Sequence, residues 1–411
     1  MTPPPSELIL YQTQDGQTRV QCRFEGDTLW LSQAQIAALF QKSVRTISEH
    51  LVNIYAEGEL ASEATVRNFR IVQIEGSRQV SREIEHYSLQ AILAVGYRVR
   101  SRRGTQFRQW VTSPDCVHRA ALGGRIVARA PSHLGDGVMA LPALRALAQV
   151  AGQLTIAAPG FGAALYHDLP AELVPARATV QGDVAVLFAP SLRAAWQARH
   201  CTHRVGVPSD WRSPLLTVRV VPGVHRTQTY ARLAQAVGAT PKGDPTYVAP
   251  PGTPMPTVPA GHVGVNPVSP SGEVVMWRGF AKLAARTNRP VVVYGGPGEH
   301  QAVRRAVPTG HHLVGLPLAQ FALALRHCAV FVSNDSGAAH LARACGVPTV
   351  VVHGSTTAAR TGPLGSVAVE GPDLPCRPCY RKRCRYQLEC MGSSVEAVEA
   401  AVATLLARHH G

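Results

Sequence analysis

Acidic and small polar residues follow two apolar runs, at places where a side chain can do chemistry. Asp136 comes after RIVARAP and a short turn, and Asp335, Ser336 and Gly337 come directly after AVFVSN. A carboxylate there can take a proton from an attacking hydroxyl. Backbone amides at a helix start can hold a phosphate group, helped by the helix dipole. The segments predict a general base and an anion site, with simple helix capping as the alternative for both aspartates.

Two further segments carry glycine and polar residues at the ends of apolar runs. PVVVYGGPGEH contains Gly295, Gly296 and Glu299, and VNPVSPSGEVVMW contains Ser269. Glycine lets the backbone approach a ligand closely. His340 lies one helical turn after Gly337, so we expect it to face the same cleft.

The elements that must position these residues alternate between strand and helix from Arg125 onward. Such alternation predicts βαβ units and parallel sheets. Residues 240–262 contain seven prolines and interrupt the pattern, as an inter-domain linker would. We therefore expect two Rossmann-like halves, 124–255 and 256–411, with residues 113–123 as a junction to a module at 1–112.

The N-terminal module contains a predicted helix-turn-helix. Ser32 and Ser43 can each cap a short helix, and the second helix would bury Val44, Ile47 and Leu51. Such a helix can enter a DNA major groove, while two helices of this spacing can also pack together without DNA. The arginines that follow would contact phosphates: Arg98, Arg100, Arg102, Arg103 and Arg108.

The composition favours acidic partners. The chain has 411 residues, a formal charge of +15 and 45% hydrophobic residues. That charge suits nucleic acid, phosphorylated ligands or peripheral association with an anionic membrane, although an arginine-rich composition alone also produces it. Because the sequence has no long apolar run and no signal-like start, we expect a cytoplasmic protein.

Four of the nine cysteines lie close together in the sequence, at Cys376, Cys379, Cys384 and Cys390. This spacing admits a zinc site. A loop of reduced or disulfide-linked thiols is the alternative, and the predicted site includes no metal.

From residue 124 onward these motifs resemble glycosyltransferase family 9, the bacterial heptosyltransferases. The resemblance implies a GT-B fold in which Asp136 is the general base and no metal or cofactor is needed. It also implies a donor site made of Ser269, Gly295, Gly296, Glu299, Asp335, Ser336, Gly337 and His340. One departure is that Val275 and Met276 stand where family members usually have a lysine before Trp277.

The N-terminal quarter, about residues 6–112, is similar to the RhuM family, which implies little chemistry. The whole sequence thus predicts an α/β protein of two Rossmann-like domains behind a small α+β module. Its expected function is inverting transfer of a sugar, heptose from ADP-heptose, to a glycan or lipid-linked saccharide. The alternative is a DNA-binding or phage-type module fused to a degenerate transferase half that binds sugar nucleotides without turnover.

Overall fold

The computed structural model describes residues 7–12, 19–25, 28–75, 78–99, 121–209, 211–269, 272–381 and 383–408. The first sheet is antiparallel, in the order β1-β2-β3-β5-β4. Its strands are Glu7–Gln12 (β1), Arg19–Glu25 (β2), Thr28–Ser32 (β3), Val66–Glu75 (β4) and Arg78–Ser88 (β5). The helices packed with it are Gln33–Phe40 (α1), Val44–Ala56 (α2), Ser62–Thr65 (α3) and Leu89–Arg98 (α4).

The middle part of the chain forms a six-stranded parallel sheet in the order β11-β10-β9-β6-β7-β8. Its strands are Arg125–Arg129 (β6), Gln153–Ala158 (β7), Glu172–Pro175 (β8), Val184–Leu187 (β9), His203–Gly206 (β10) and Val218–Arg219 (β11). Its helices are Leu134–Met139 (α5), Leu141–Val150 (α6), Gly162–Leu165 (α7), Leu192–Gln197 (α8) and Arg226–Gln235 (α9).

The C-terminal part repeats this topology in the order β14-β13-β12-β15-β16-β17. Its strands are His262–Asn266 (β12), Val291–Gly295 (β13), His311–Val314 (β14), Cys328–Asn334 (β15), Thr349–His353 (β16) and Val367–Glu370 (β17). Its helices are Phe280–Arg286 (α10), His300–Ala306 (α11), Leu318–Leu325 (α12), Gly337–Ala344 (α13), Ala358–Thr361 (α14) and Val395–Arg408 (α15). In both sheets the strand order reverses beside the first strand, so we expect binding crevices at the carboxyl ends of β6 and β9 and of β12 and β15.

One apolar core joins the two parallel-sheet halves. The same buried cluster includes Ile126 and Leu144 from the middle half and Phe331 and Leu341 from the C-terminal half. Tyr247, in the proline-rich segment, is buried in that cluster; its amide donates to Ala344 O at 2.8 Å and its hydroxyl to Ala164 O at 3.0 Å. The segment that the sequence marks as a linker therefore fastens the halves together.

The N-terminal module shows both predicted helix caps. The Ser32 hydroxyl accepts from Gln35 N, and the Ser43 hydroxyl accepts from Thr46 N. Ile47, Leu51 and Ile54 form the buried face of α2, whereas Val44 is exposed, so the expectation for Val44 was wrong. Val44 is the first residue of the helix, where the chain enters from the solvent side.

The arginine-rich stretch that should contact phosphates lies outside the described residues, apart from Arg98. The Arg98 guanidinium binds the carboxylates of Glu57 and Glu59, at 2.5 and 2.7 Å. The sequence around Arg98 holds no acid, and the fold brings these two from the end of α2. Arg98 is thus already paired within the module.

One segment, Glu389–Ala407, is long and apolar enough to cross a membrane by length and composition. Val398 and Val402 of this segment are buried in the core cluster of the C-terminal sheet. Helix α15, which forms most of this segment, packs as a layer against β15, β16 and β17 of that sheet.

A buried histidine makes the middle half sensitive to acid. His203 begins β10, is 3% exposed, and its Nδ1 has no hydrogen-bond partner among the described residues. Burial lowers the pKa of His203 from 6.5 to about 4. The unfolded chain therefore binds a proton on His203 before the folded chain does, and stability is lost as pH falls below 6.5.

We expect His203→Leu to remove part of this acid sensitivity. A pKa difference of this size corresponds to about 3 kcal/mol of unfolding free energy, lost between about pH 6.5 and pH 4. Urea unfolding of both proteins across that range measures the effect. If the parent and the variant lose stability equally with falling pH, His203 does not titrate as described.

Candidate active site

Two helices begin side by side at the carboxyl ends of strands from different halves. The start of α5, after β6, packs against the start of α13, after β15. A Cβ atom added at Gly135 would lie 2.8 Å from His340 Cδ2, and one added at Gly337 would lie 2.9 Å from Leu134 Cβ. Only glycine fits at these two positions without a shift, and the positive ends of both helix dipoles therefore lie together.

Asp136 lies in the first turn of α5, and three side chains of the middle half surround its carboxylate. The Tyr230 hydroxyl donates to Asp136 Oδ1 at 3.0 Å, Arg226 Nε is 3.6 Å from the same atom, and His133 Nδ1 is 3.9 Å from Oδ2. The helix cap is His133, with no side-chain capping bond. Asp136 is therefore not the capping residue of α5. Two of its three contacts come from α9.

Tyr230 is a suitable partner for that carboxylate. It is almost fully buried, and burial raises the pKa of its hydroxyl well above the ordinary value, with the Asp136 charge acting in the same direction. The hydroxyl thus keeps its proton at neutral pH and remains a donor. Tyr230 and Arg226 lie four residues apart on one face of α9, so a single helix supplies both contacts.

Asp335 is held by groups of the C-terminal half. The Thr361 hydroxyl donates to its Oδ2 at 3.0 Å, and His353 Nδ1 lies 3.7 Å from the same oxygen. His353 ends β16, next to β15, and is fully buried. Burial lowers the pKa of His353, although the Asp335 charge opposes this. The carboxylate is fixed at the strand end rather than free in solvent.

The start of α13 leaves backbone donors available. Ser336 is the N-cap residue but makes no side-chain capping bond, because its hydroxyl lies 2.9 Å from the Ser333 hydroxyl. The plain-cap interpretation of Asp335, Ser336 and Gly337 therefore lacks its hydrogen bond. The first amides of a helix have no intrahelical acceptor, and an anion can bind them.

His340 lies where the two halves meet. It is buried, and burial lowers its pKa, while attraction to Asp335 and Asp136 works in the opposite direction. A neutral imidazole between two carboxylates can donate one hydrogen bond. The predicted residues Asp136, Asp335, Ser336, Gly337 and His340 are thus brought together by the packing of α5 on α13.

The remaining predicted residues lie along the carboxyl edge of the C-terminal sheet. Ser269 is buried in the loop after β12, Gly295 is the last residue of β13, and Gly296 follows it. The Glu299 carboxylate accepts from Gly296 N at 2.6 Å, so it closes its own turn. No hydrogen bond among the described residues joins these four residues to Asp335 or His340.

The two halves are in direct contact beside the candidate site. His225 Nε2 is 2.9 Å from Gly362 O, across the boundary between them, and the cavity beside His340 has a volume of about 30 Å³. Pockets for small ligands usually measure several hundred Å³. A cavity of about 520 Å³ lies instead between α10 and the start of α15, lined in part by Trp277, Arg278 and Lys282.

Several residues of the site were not identified from the sequence. Asn334 is fully buried and its side-chain amide joins Pro267 O, at 2.9 Å, to Trp277 N, at 2.8 Å. Arg226 and Tyr230 carry no signal beyond their helical spacing. His353 does have a sequence signal, because it is a polar residue at the end of an apolar strand. Asp335, directly after β15, has a similar position.

The four clustered cysteines are free thiols. Cys390 is buried against the C-terminal core, and burial together with its neighbours Cys384, Cys379 and Cys376 raises its pKa. Within the described part of the chain, no three His, Cys, Asp or Glu residues are arranged to hold a metal ion. The geometry of the described residues therefore does not support the zinc hypothesis.

The sequence of the site region matches a known family model. Residues 274–389 match glycosyltransferase family 9 (heptosyltransferase), and residues 64–115 match the virulence protein RhuM family. Lipopolysaccharide heptosyltransferase 1 of Pseudomonas aeruginosa is 34% identical over 116 residues, which are 27% of this chain. The matched segment spans 33% of that relative's length.

Solved structures extend the similarity to both halves. E. coli ADP-heptose LPS heptosyltransferase II superposes with a TM-score of 0.56 and 20% identity, over 70% of this chain and 99% of that one. The family 9 glycosyl transferase of Veillonella parvula gives 0.55 and 20%, over 70% and 98%. The two parallel-sheet halves have the fold of these two structures. Both expected resemblances are confirmed, although the family models match shorter segments than we expected.

The close contact of the two helix starts can be tested with Gly135→Ala. The added methyl group would overlap His340 and Gly337, so we expect a loss of about 1–3 kcal/mol in unfolding free energy. Gly160→Ala is the matched control, because nothing lies within 4 Å of a Cβ there. Equal stability of the two variants in urea unfolding would contradict the packing described.

Proposed function

We propose that residues 121–408 form a glycosyltransferase that uses a nucleotide-sugar donor, ADP-heptose, and a saccharide or glycolipid acceptor. The observation that carries this proposal is the juxtaposition of Asp136 with the start of α13 across the boundary of the two halves. The family 9 match at 274–389 supports it from the sequence side. We propose a cytoplasmic location, on the expectation from composition.

In the proposed reaction the acceptor hydroxyl attacks the anomeric carbon of the donor sugar. Asp136 takes the proton of that hydroxyl, the new glycosidic bond forms, and the bond to the nucleoside diphosphate breaks with inversion. Tyr230 and Arg226 hold the Asp136 carboxylate in one orientation. Fixing the base in this way saves the cost of orienting it during the reaction.

The leaving diphosphate would be stabilised by the amides at the start of α13 and by the adjacent helix dipole. The lysine usual before Trp277 is replaced here: Val275 is buried, and Arg278 lines the cavity beside α10. Arg226 is a cation already beside Asp136, and we propose that it offsets part of the diphosphate charge. Asp335 and His340 would contact the donor sugar, and Glu299 the ribose.

The alternative is a protein that binds sugar nucleotides without turning them over, fused to a DNA-contacting module. The absence of a lysine before Trp277 favours it, because Val275 and Met276 cannot neutralise a leaving diphosphate. Donor binding in either function would require the halves to separate at the His225–Gly362 contact, because the cavity beside His340 measures about 30 Å³. A screen of ADP-, UDP- and GDP-sugars for binding and turnover separates the two functions: binding with no turnover supports the alternative.

Asp136→Asn tests the proposed base. Asparagine keeps the shape and can bond Tyr230, but it cannot take a proton, so we expect turnover to fall by about 10²–10⁴-fold. Donor affinity should stay close to that of the parent. Tyr230→Phe is the companion variant, and loss of one positioning hydrogen bond should cost about 2- to 10-fold. Near-normal turnover by Asp136→Asn would remove it from the mechanism.

Asp335→Ala tests the donor site. Because Asp335 directly follows β15, beside the start of α13, we expect weaker binding of the sugar nucleotide, measured by titration calorimetry. Thr361→Val serves as the comparison. It removes the hydrogen bond from the Thr361 hydroxyl to Asp335 but leaves the charge of the Asp335 carboxylate in place. Unchanged affinity of the Asp335 variant for every sugar nucleotide that binds the parent would contradict the assignment.

A further inference from the structure

Large apolar side chains are exposed in the segments that follow three neighbouring strands of the middle half. Leu192 and Trp196, after β9, are 47% and 57% exposed, and Trp211, after β10, is 94% exposed. Val221 and Val224, after β11, are 73% and 78% exposed. The three strands are adjacent and parallel, so these segments leave the same edge of the sheet. We call these five residues the apolar loop surface.

The segments that follow β9 and β10 are fixed to each other. The Ser209 hydroxyl donates to Pro190 O at 3.1 Å, and the fully buried Arg212 donates to Ala189 O at 2.6 Å. Trp211, next to Arg212, has a left-handed backbone with φ of 60°. This conformation is unusual for a bulky residue. The buried arginine thus anchors a turn whose tryptophan points into solvent.

The same stretch of chain is strongly basic. Residues 189–225 contain five arginines and one acid, Asp210, which gives a formal charge of +4. Arg193, Arg199 and Arg219 are exposed. The Arg199 guanidinium lies 5.0 Å from the centre of the Trp196 ring. The apolar loop surface is therefore bordered by positive charge.

This combination fits an anionic bilayer surface better than a second copy of the chain. Tryptophan favours the membrane–water interface, and arginine is attracted to anionic lipid. In a two-fold dimer the same surface faces itself, so the arginines of both copies would be brought together. An anionic partner removes that repulsion.

The apolar loop surface borders the candidate active site. Val224 is followed directly by His225, which contacts Gly362 O, and by Arg226, which contacts Asp136. We propose that this surface docks on an anionic phospholipid bilayer and brings Asp136 to acceptors held in that bilayer. The role of the docking rests on the proposed glycosyl transfer, whereas the docking itself does not depend on it.

Sedimentation of the full chain with vesicles tests the proposal. We expect binding to vesicles that contain phosphatidylglycerol, and little binding to phosphatidylcholine alone. Arg193→Gln with Arg199→Gln should lower the partition coefficient by about 30-fold, since each arginine near an anionic membrane contributes about 1 kcal/mol. Trp196→Ser with Trp211→Ser should lower the partition coefficient by at least about tenfold, because each substitution removes the apolar area that a ring would bury in the bilayer.

Two matched controls lie on the C-terminal half. Arg304→Gln with Arg305→Gln removes two exposed charges from α11, and Tyr386→Ser removes an aromatic ring that is 66% exposed. Both should sediment like the parent. The proposal is overturned if the parent does not sediment with vesicles that contain phosphatidylglycerol. It is also overturned if the variants of the apolar loop surface sediment like the controls. A parent dimer in analytical ultracentrifugation that the tryptophan variants lose would also overturn it, in favour of a second copy.

Failure of the docking can be told apart from failure of the proposed function. Asp136→Asn should sediment with vesicles like the parent, and the tryptophan variants should bind sugar nucleotide like the parent. If the parent binds no sugar nucleotide but the vesicle results hold, the docking stands and glycosyl transfer fails. If sugar nucleotide is bound but the vesicle results fail, only the docking is wrong.

Discussion

The contact between the starts of α5 and α13 is the constraint on which the candidate site depends. Gly135 and Gly337 have no side chains, so the two helices approach until a methyl group would no longer fit between them. That approach places Asp136 and Asp335 at one location although they belong to different sheets. It also brings together the positive ends of two helix dipoles, which favour negative charge at this point more than either helix would alone. Every other contact of the site adds to an arrangement that this packing creates.

Three buried, uncharged side chains lie near the two aspartates. Tyr230 keeps its proton because burial disfavours its charged form, and the buried His340 and His353 have lowered pKa values for the same reason. Among the described residues around Asp136, Arg226 supplies a positive charge. Electrostatic interactions are stronger where water is excluded. A developing charge on a bound ligand would therefore be felt strongly by this small set of groups.

Much of the fold could be predicted from the sequence, because the alternation of apolar runs and helical stretches is local. The Asp335–Ser336–Gly337 and Asp136 segments were also visible, since polar residues at the ends of buried strands stand out. Tyr230, Arg226 and Thr361 could not be found in this way. Their helices have ordinary composition, and their contacts depend on how elements far apart in sequence pack. Arg98 shows the opposite error: its neighbourhood looked free of acid until the fold brought Glu57 and Glu59 to it.

The shared core of the two halves has a consequence for recombination between related proteins. A chimera that exchanged one half at the proline-rich segment would divide a single apolar cluster, in which the Tyr247 side chain is buried. Cores tolerate substitution when volume and shape are kept, and lose stability when they are not. An imported half would therefore have to bring side chains that fill the spaces around Phe331 and Leu341. In this architecture, the middle and C-terminal halves must match each other across the shared core.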